Sequence, residues 1–159
     1  MLVSMPSRTT VVAVLALLSI GGVSCGDSTA PVRTVHYTLE LVNDAPPPVV
    51  LYDDGEEEIV LLGEELVLRG DRTGWRRTYM GRRPVGSTAV PAPDDAAPEE
   101  LRYREVDGVL TIAHARPCPP NALCVGPDLA TLTATGLVVA SPRFAAGSEL
   151  RFQQIVLED

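Results

Sequence analysis

Few side chains in this 159-residue chain could do chemistry, and the cysteines come first. Cys118 and Cys124 enclose five residues, two of them prolines that stiffen the loop, with Asn121 suited to a turn. Such a pair could close a disulfide. It could also offer two thiolates to a metal, with His114 and Asp128 as further ligands. The spacing is wider than that of a zinc knuckle and there is no second cysteine pair, which counts against the metal. Redox-active dithiols carry two residues between their thiols, not five. The third cysteine, Cys25, stands alone near the N-terminus.

The remaining constellations are charged. Residues 53–58 (DDGEEE) place five carboxylates around one glycine, yet lack the ordered spacing of a calcium loop and read as a solvated turn. Arg76, Arg77, Arg82 and Arg83 form the opposite patch, best read as an answer to that turn through exposed pairs worth under about 1 kcal/mol each. His36 and His114 are the only histidines, and neither adjoins a nucleophile motif. Ser87, Ser141 and Ser148 fall in connections without a strand–turn–helix elbow. No glycine-rich phosphate loop is present. The expectation is a protein without catalytic residues, cofactor or metal.

The first 25 residues supply a destination. Arg8 and the terminal amine are the only positive charges before an uncharged run over 9–24. Its apolar centre, residues 11–20 (VVAVLALLSI), is ten residues long. A helix of that length rises about 15 Å, roughly half the hydrocarbon thickness of a bilayer. A basic start, a short apolar centre and small residues at the end make a secretory signal. Gly21, Gly22, Val23 and Ser24 stop at Cys25, and this ending resembles the lipobox of bacterial lipoproteins. The resemblance implies a signal peptide over 1–24, lipidation of Cys25, a flexible tether over 25–32 and one domain over 33–159. Paired acyl chains, at about 0.8 kcal/mol per buried methylene, hold a protein to a membrane where a single chain does not. The chain is thus expected to be exported and lipid-anchored to the cell envelope, at the outer membrane or the periplasmic face of the inner one. With Cys25 acylated in an oxidising compartment, the remaining even pair, Cys118 and Cys124, reads as a disulfide.

Composition narrows the partners. Removal of the signal would take away Arg8 and no acid, moving the net charge from −8 to −9. Such a chain is poorly suited to nucleic acid or to an anionic bilayer surface. Two Phe, four Tyr and one Trp leave the core to Val and Leu.

The elements that must position these residues are strands. Over residues 33–42, Val35, Tyr37, Leu39 and Leu41 alternate with Thr34, His36, Thr38 and Glu40. Three prolines at 46–48 end that run. Further strands are expected over 49–52, 59–62, 64–69 and 75–80, with turns at 53–55, Gly63 and 70–74. Residues 82–98 hold four prolines and few large apolar side chains, and are expected to form a mobile loop. Asp107-Gly108 marks a hairpin between 99–106 and 109–115. Strands over 129–135, 137–140 and 149–157 complete about ten, with no helix, pointing to an antiparallel meander closed as a barrel or sandwich.

Tyr37-Thr38-Leu39 with Val42-Asn43, residues 63–68 before a Gly-Asp turn, the Asp107-Gly108 hairpin and the closing Leu150-Arg151-Phe152 resemble bacterial lipocalin-like exported lipoproteins. The resemblance implies a small all-β, up-and-down barrel and carries over no binding residue. Two roles follow. A hollow barrel would hold a small apolar ligand among inward residues such as Tyr37, Leu39, Leu68, Tyr103 and Ile112. A filled barrel would instead dock envelope proteins along a strand edge or its loops.

Overall fold

The structure is a computed structural model that describes residues 33–120, 122, 124–144 and 147–156. Cys25, the signal expected over 1–24 and the tether expected over 25–32 lie outside the described residues.

Alternation of apolar and polar residues becomes nine strands: β1 (Thr34–Val42), β2 (Val49–Asp53), β3 (Glu57–Arg69), β4 (Thr73–Pro84), β5 (Glu99–Val106), β6 (Val109–His114), β7 (Asp128–Leu132), β8 (Gly136–Ser141) and β9 (Ser148–Ile155). From β2 to β9 each strand pairs with the next one in the chain. β1 and β2 lie along the same edge of β3, β1 beside residues 65–69 and β2 beside residues 58–61. They are one strand interrupted by residues 43–48. Pairing of β1 with β9 then closes an eight-stranded antiparallel barrel.

The turns follow their chemistry. Asp107 and Gly108 take φ values of 52° and 77°, the left-handed pair that a two-residue hairpin between β5 and β6 requires. Asn43 and Asp44 do the same at 49° and 66°, and Val42 and Ala45 exchange both backbone hydrogen bonds across them. Gly136 begins β8 with its Cα pressed against the Phe152 carbonyl, so any side chain there would strike backbone.

Four expectations need correction, and the first is that Ser141 and Ser148 fall in connections: the alternation carries to the strand ends, so they close β8 and open β9. Gly63 is not a turn: it lies inside β3, at a bulge against β4 between Leu61 and Gly63, and the two predicted strands around it are one of 13 residues. Glycine permits a turn but also a bulge, and the pairing partner decides which. Leu41 is not inward with Leu39, because the β1–β9 register shifts between them and Val42 is buried instead. Residues 82–84 belong to β4, so the connection to β5 begins only after Pro84.

Beyond Arg76, β4 leaves β5, which it pairs only over 73–76. The far half of β4, the start of β3 and β2 continue past the barrel as a three-stranded extension. The connection to β5 returns across one face of it. Asp94 N donates to Met80 O at 2.6 Å, and a Cβ on Gly81 would lie 2.7 Å from Ala92 O. Val60, opposite Gly81 in the ladder, is wholly buried but stands apart from the barrel's apolar cluster.

Candidate functional site

The inward face of the barrel changes character along its axis. At the tight-turn end it carries Leu68, Leu66, Leu110, Ala130, Leu137 and Phe152, all buried. One period-two step further along each strand the residue type switches. Leu66 gives way to Glu64 on β3, Leu101 to Glu99 on β5, Ile112 to His114 on β6 and Ala130 to Asp128 on β7. Val139 and Leu150 give way to Ser141 and Ser148 on β8 and β9. Arg76 comes from β4, and Arg143 from the connection after β8.

These side chains form one network. Arg76 donates from Nη1 to Asp128 Oδ2 at 2.7 Å, and from Nε and Nη2 to Glu99 Oε2 at 3.0 and 2.5 Å. Arg143 makes a two-pronged pair with Glu64, both bonds 2.8 Å, and reaches Asp128 Oδ2 at 3.1 Å. Ser141 Oγ donates to Asp128 Oδ1 at 2.6 Å, and Thr78 Oγ1 to Glu64 Oε2 at 2.7 Å. Burial alone would push the Arg143 guanidinium down. Its hydrogen bonds to Glu64, with the charges of Glu64, Asp128 and Glu99, hold it above its ordinary value. Two arginines face three carboxylates. His114 Nδ1 lies against Glu99 Oε1 and pairs with it when the imidazole is charged, although Oε1 accepts no aligned hydrogen bond among the described residues.

This network plugs the barrel. The interstice bounded by Glu64, Leu66, Arg76, Ile112, Asp128, Val139, Arg143 and Phe152 leaves no room for a water. Tyr37, Leu39, Leu68 and Ile112, expected to line a hollow, are buried against one another's cluster, and half-buried Tyr103 packs on it while donating to Arg69 O at 2.6 Å. The open space lies outside the plug. A cleft of about 530 Å³ has Leu51, Ile59, Met80, Val125 and Phe144 on its walls and Arg76, Glu99, His114 and Arg143 at its floor. A second, of about 630 Å³, runs from His114 past the cysteine loop to Pro127.

Cys118 and Cys124 are joined as a disulfide with Cα atoms 6.0 Å apart. Their thiols are therefore not ligands, and Asp128, the fourth member of the alternative metal set, is engaged by two arginines and a serine. The acidic turn is held by its own backbone. Asp53 Oδ1 accepts from Gly55 N, and Asp54 Oδ1 from Glu56 N and Glu57 N. The Glu57 and Glu56 amides hold the Asp54 carboxyl below its ordinary range. Of the four arginines expected to answer this turn, Arg83 pairs with Glu58 at 2.6 Å and Arg82 reaches Glu57 at 3.9 Å. Arg76 turns inward instead.

Sequence reasoning missed Glu64, Glu99 and Arg143 and misplaced Arg76. The usable signal was phase: Glu64 continues the inward alternation of Leu68 and Leu66. The last feature of this end is an edge. The outer side of β2 carries no paired strand among the described residues, and Val50 and Tyr52 are 42% and 59% exposed. No known protein family, curated protein or solved structure matches the chain.

Proposed function

We propose that this is an exported, lipid-anchored envelope protein that works as an interaction module, not as a carrier of a small apolar ligand inside its barrel. The observation that carries this reading is the plugged interior. A carrier needs a cavity of a few hundred Å³ or more for its cargo. Here a charged tier closes the space above the apolar one. Opening it would strand buried charges at several kcal/mol each. The two larger clefts and the unpaired edge of β2 lie at the end of the barrel away from the tight turns.

Titration of the exported protein with a long-chain fluorescent fatty acid tests the function. The expected result is no stoichiometric binding, and one molecule bound per barrel would overturn it. Detergent partitioning tests the anchor. The wild type should enter the detergent phase and Cys25→Ser should not; equal recovery of both in the aqueous phase removes the lipid from the reading.

A further inference from the structure

We propose that the open end docks an extended, basic segment of a partner protein, which adds a strand to the free edge of β2 and sets an apolar side chain into the adjoining cleft. This deepens the interaction-module reading and rests on it. At Leu39, β1 turns away to follow β9, while β2 stays on β3, so the two parts of the broken strand diverge and leave the outer side of β2 without a paired strand among the described residues. A bare edge is a template for another chain, and proteins blunt such edges with charge, proline, shortness, a bulge or a covering segment. β2 is only five residues long, follows prolines 46–48, ends at Asp53 and is bulged, yet Val50 and Tyr52 stay 42% and 59% exposed along it and neither is charged. β2 is bulged at Leu51, which brings both Leu51 and Tyr52 to the cleft wall beside Ile59. A strand laid along β2 would thus hold one of its own side chains over a space of about 530 Å³ with apolar walls and a charged floor.

Charge selects the occupant. Asp53, Asp54, Glu56 and Glu57 are all exposed around the end of β2, and Arg82 answers one of them across 3.9 Å. A segment with arginine or lysine at alternate positions would meet this rim, and one with acidic residues would be repelled. A second copy of the chain is the weaker candidate, since each copy carries a net charge of −8 and presents the same acidic rim. Main-chain hydrogen bonds would supply the affinity and alternate side chains the choice of partner.

The probes are capped twelve-residue peptides of alternating Val and Arg, the same peptide with Glu for Arg, and the Arg peptide with its two central Val changed to Pro. Each is added to the full exported protein in detergent micelles, and amide exchange is followed by mass spectrometry. The Arg peptide should slow exchange over residues 49–53, and the Glu and Pro peptides should not. Asp53→Asn with Glu56→Gln, which keeps the turn's acceptor, should raise the Kd of the Arg peptide about 10-fold, and Val50→Lys should raise it further. Protection elsewhere, equal binding of the Glu or Pro peptide, or protection over 49–53 from self-association alone would overturn the proposal. Uptake of the fatty acid into the barrel is a separate readout, so failure of the broader reading is distinguishable from failure of the docking site.

Discussion

On β3, Leu66 and Glu64 point into the same barrel two residues apart, and Ala130 and Asp128 do so on β7. The apolar tier near the tight turns is held by burial, where each large side chain removed from water contributes about 1.5–3 kcal/mol. The polar tier above it is different in kind. Taking Arg76, Arg143, Glu64 and Asp128 out of water is costly, and their mutual bonds do little more than offset that cost. Apolar residues of the same size could fill the space with equal or greater stability. What the charged tier adds is geometry. Arg76, Asp128 and Arg143 tie β4, β7 and the β8–β9 connection together beneath the cleft, and they fix the floor on which a partner's side chain would rest.

Removing one charge from the upper tier is the strongest way to break this contrast. Asp128→Ala leaves both arginines short of a partner and should cost about 3–5 kcal/mol. That matches or exceeds Leu66→Ala in the lower tier, at about 2–5 kcal/mol. Ser141→Ala removes only a neutral donor to Asp128 and should cost about 1 kcal/mol. Urea melts of the three variants check the order. If Asp128→Ala costs no more than Ser141→Ala, the upper tier is not a charge-paired unit.

A smaller effect separates the barrel from its three-stranded extension. Gly81→Ala would place a methyl 2.7 Å from the Ala92 carbonyl and 2.8 Å from Pro91 Cγ. The returning connection must lift, at a cost of about 1–3 kcal/mol. Amide exchange should quicken over residues 91–94 and stay unchanged in β7 and β8. Uniform quickening would mean that the extension and the barrel open together.

Acid should loosen the same extension, and with it the β3–β4 turn, where hydrogen bonds from Thr73 hold the Asp71 carboxyl below its ordinary range. Hydrogen bonding from Arg83 is the main cause holding Glu58 below its ordinary value, as the Glu57 and Glu56 amides do for Asp54. A carboxyl depressed in the folded state stabilises it fully above the ordinary carboxylate range, near pH 4, and that contribution is lost as pH falls through the folded value. Tm should therefore drop below about pH 4, and Glu58→Gln should flatten part of the drop while lowering Tm at neutral pH. An unchanged acid slope would place the sensitive carboxylates elsewhere.

Much of this architecture was written in alternation. The strands of β1, β5, β6 and β9, the Asp107-Gly108 turn and the inward phase of Leu66 and Leu68 all follow from period two and turn chemistry. The disulfide followed from counting thiols. What stayed hidden was hidden for a physical reason. A charged residue looks solvent-facing unless its partner is known, and the partners of Arg76 lie 23 and 52 residues away. Bulges were equally invisible, because one extra residue at Glu40 or Leu62 reverses the phase of everything after it and depends on the neighbouring strand. The free edge of β2 depends on both, since it exists only where β1 diverges.

The smallest effect is expected in the β4–β5 connection itself. Its composition suggested a segment that gains little from order, and residues 84–86 and 88–90 are indeed exposed. It is nevertheless pinned at several places: Val85 N donates to Glu56 O at 3.0 Å, Gly86 N to Glu58 Oε1 at 3.5 Å and Arg83 Nη1 to Ala89 O at 3.3 Å, and residues 91–94 lie across Gly81 and Met80. The last of these covers buried Val60, and the hydrogen bonds of Gly86 and Ala89 are exposed contacts. Replacing residues 86–90 with Gly-Ser should therefore cost less than about 1 kcal/mol, because it removes no buried apolar surface and lengthening or loosening a loop is cheap. Leu68→Ala, which empties part of the lower tier, should cost about 2–5 kcal/mol. Thermal melts of the two variants side by side give the comparison. If the loop replacement proves the more damaging, the connection is a packed part of the extension, and the cover it provides for Val60 reaches further than its contacts at Gly81.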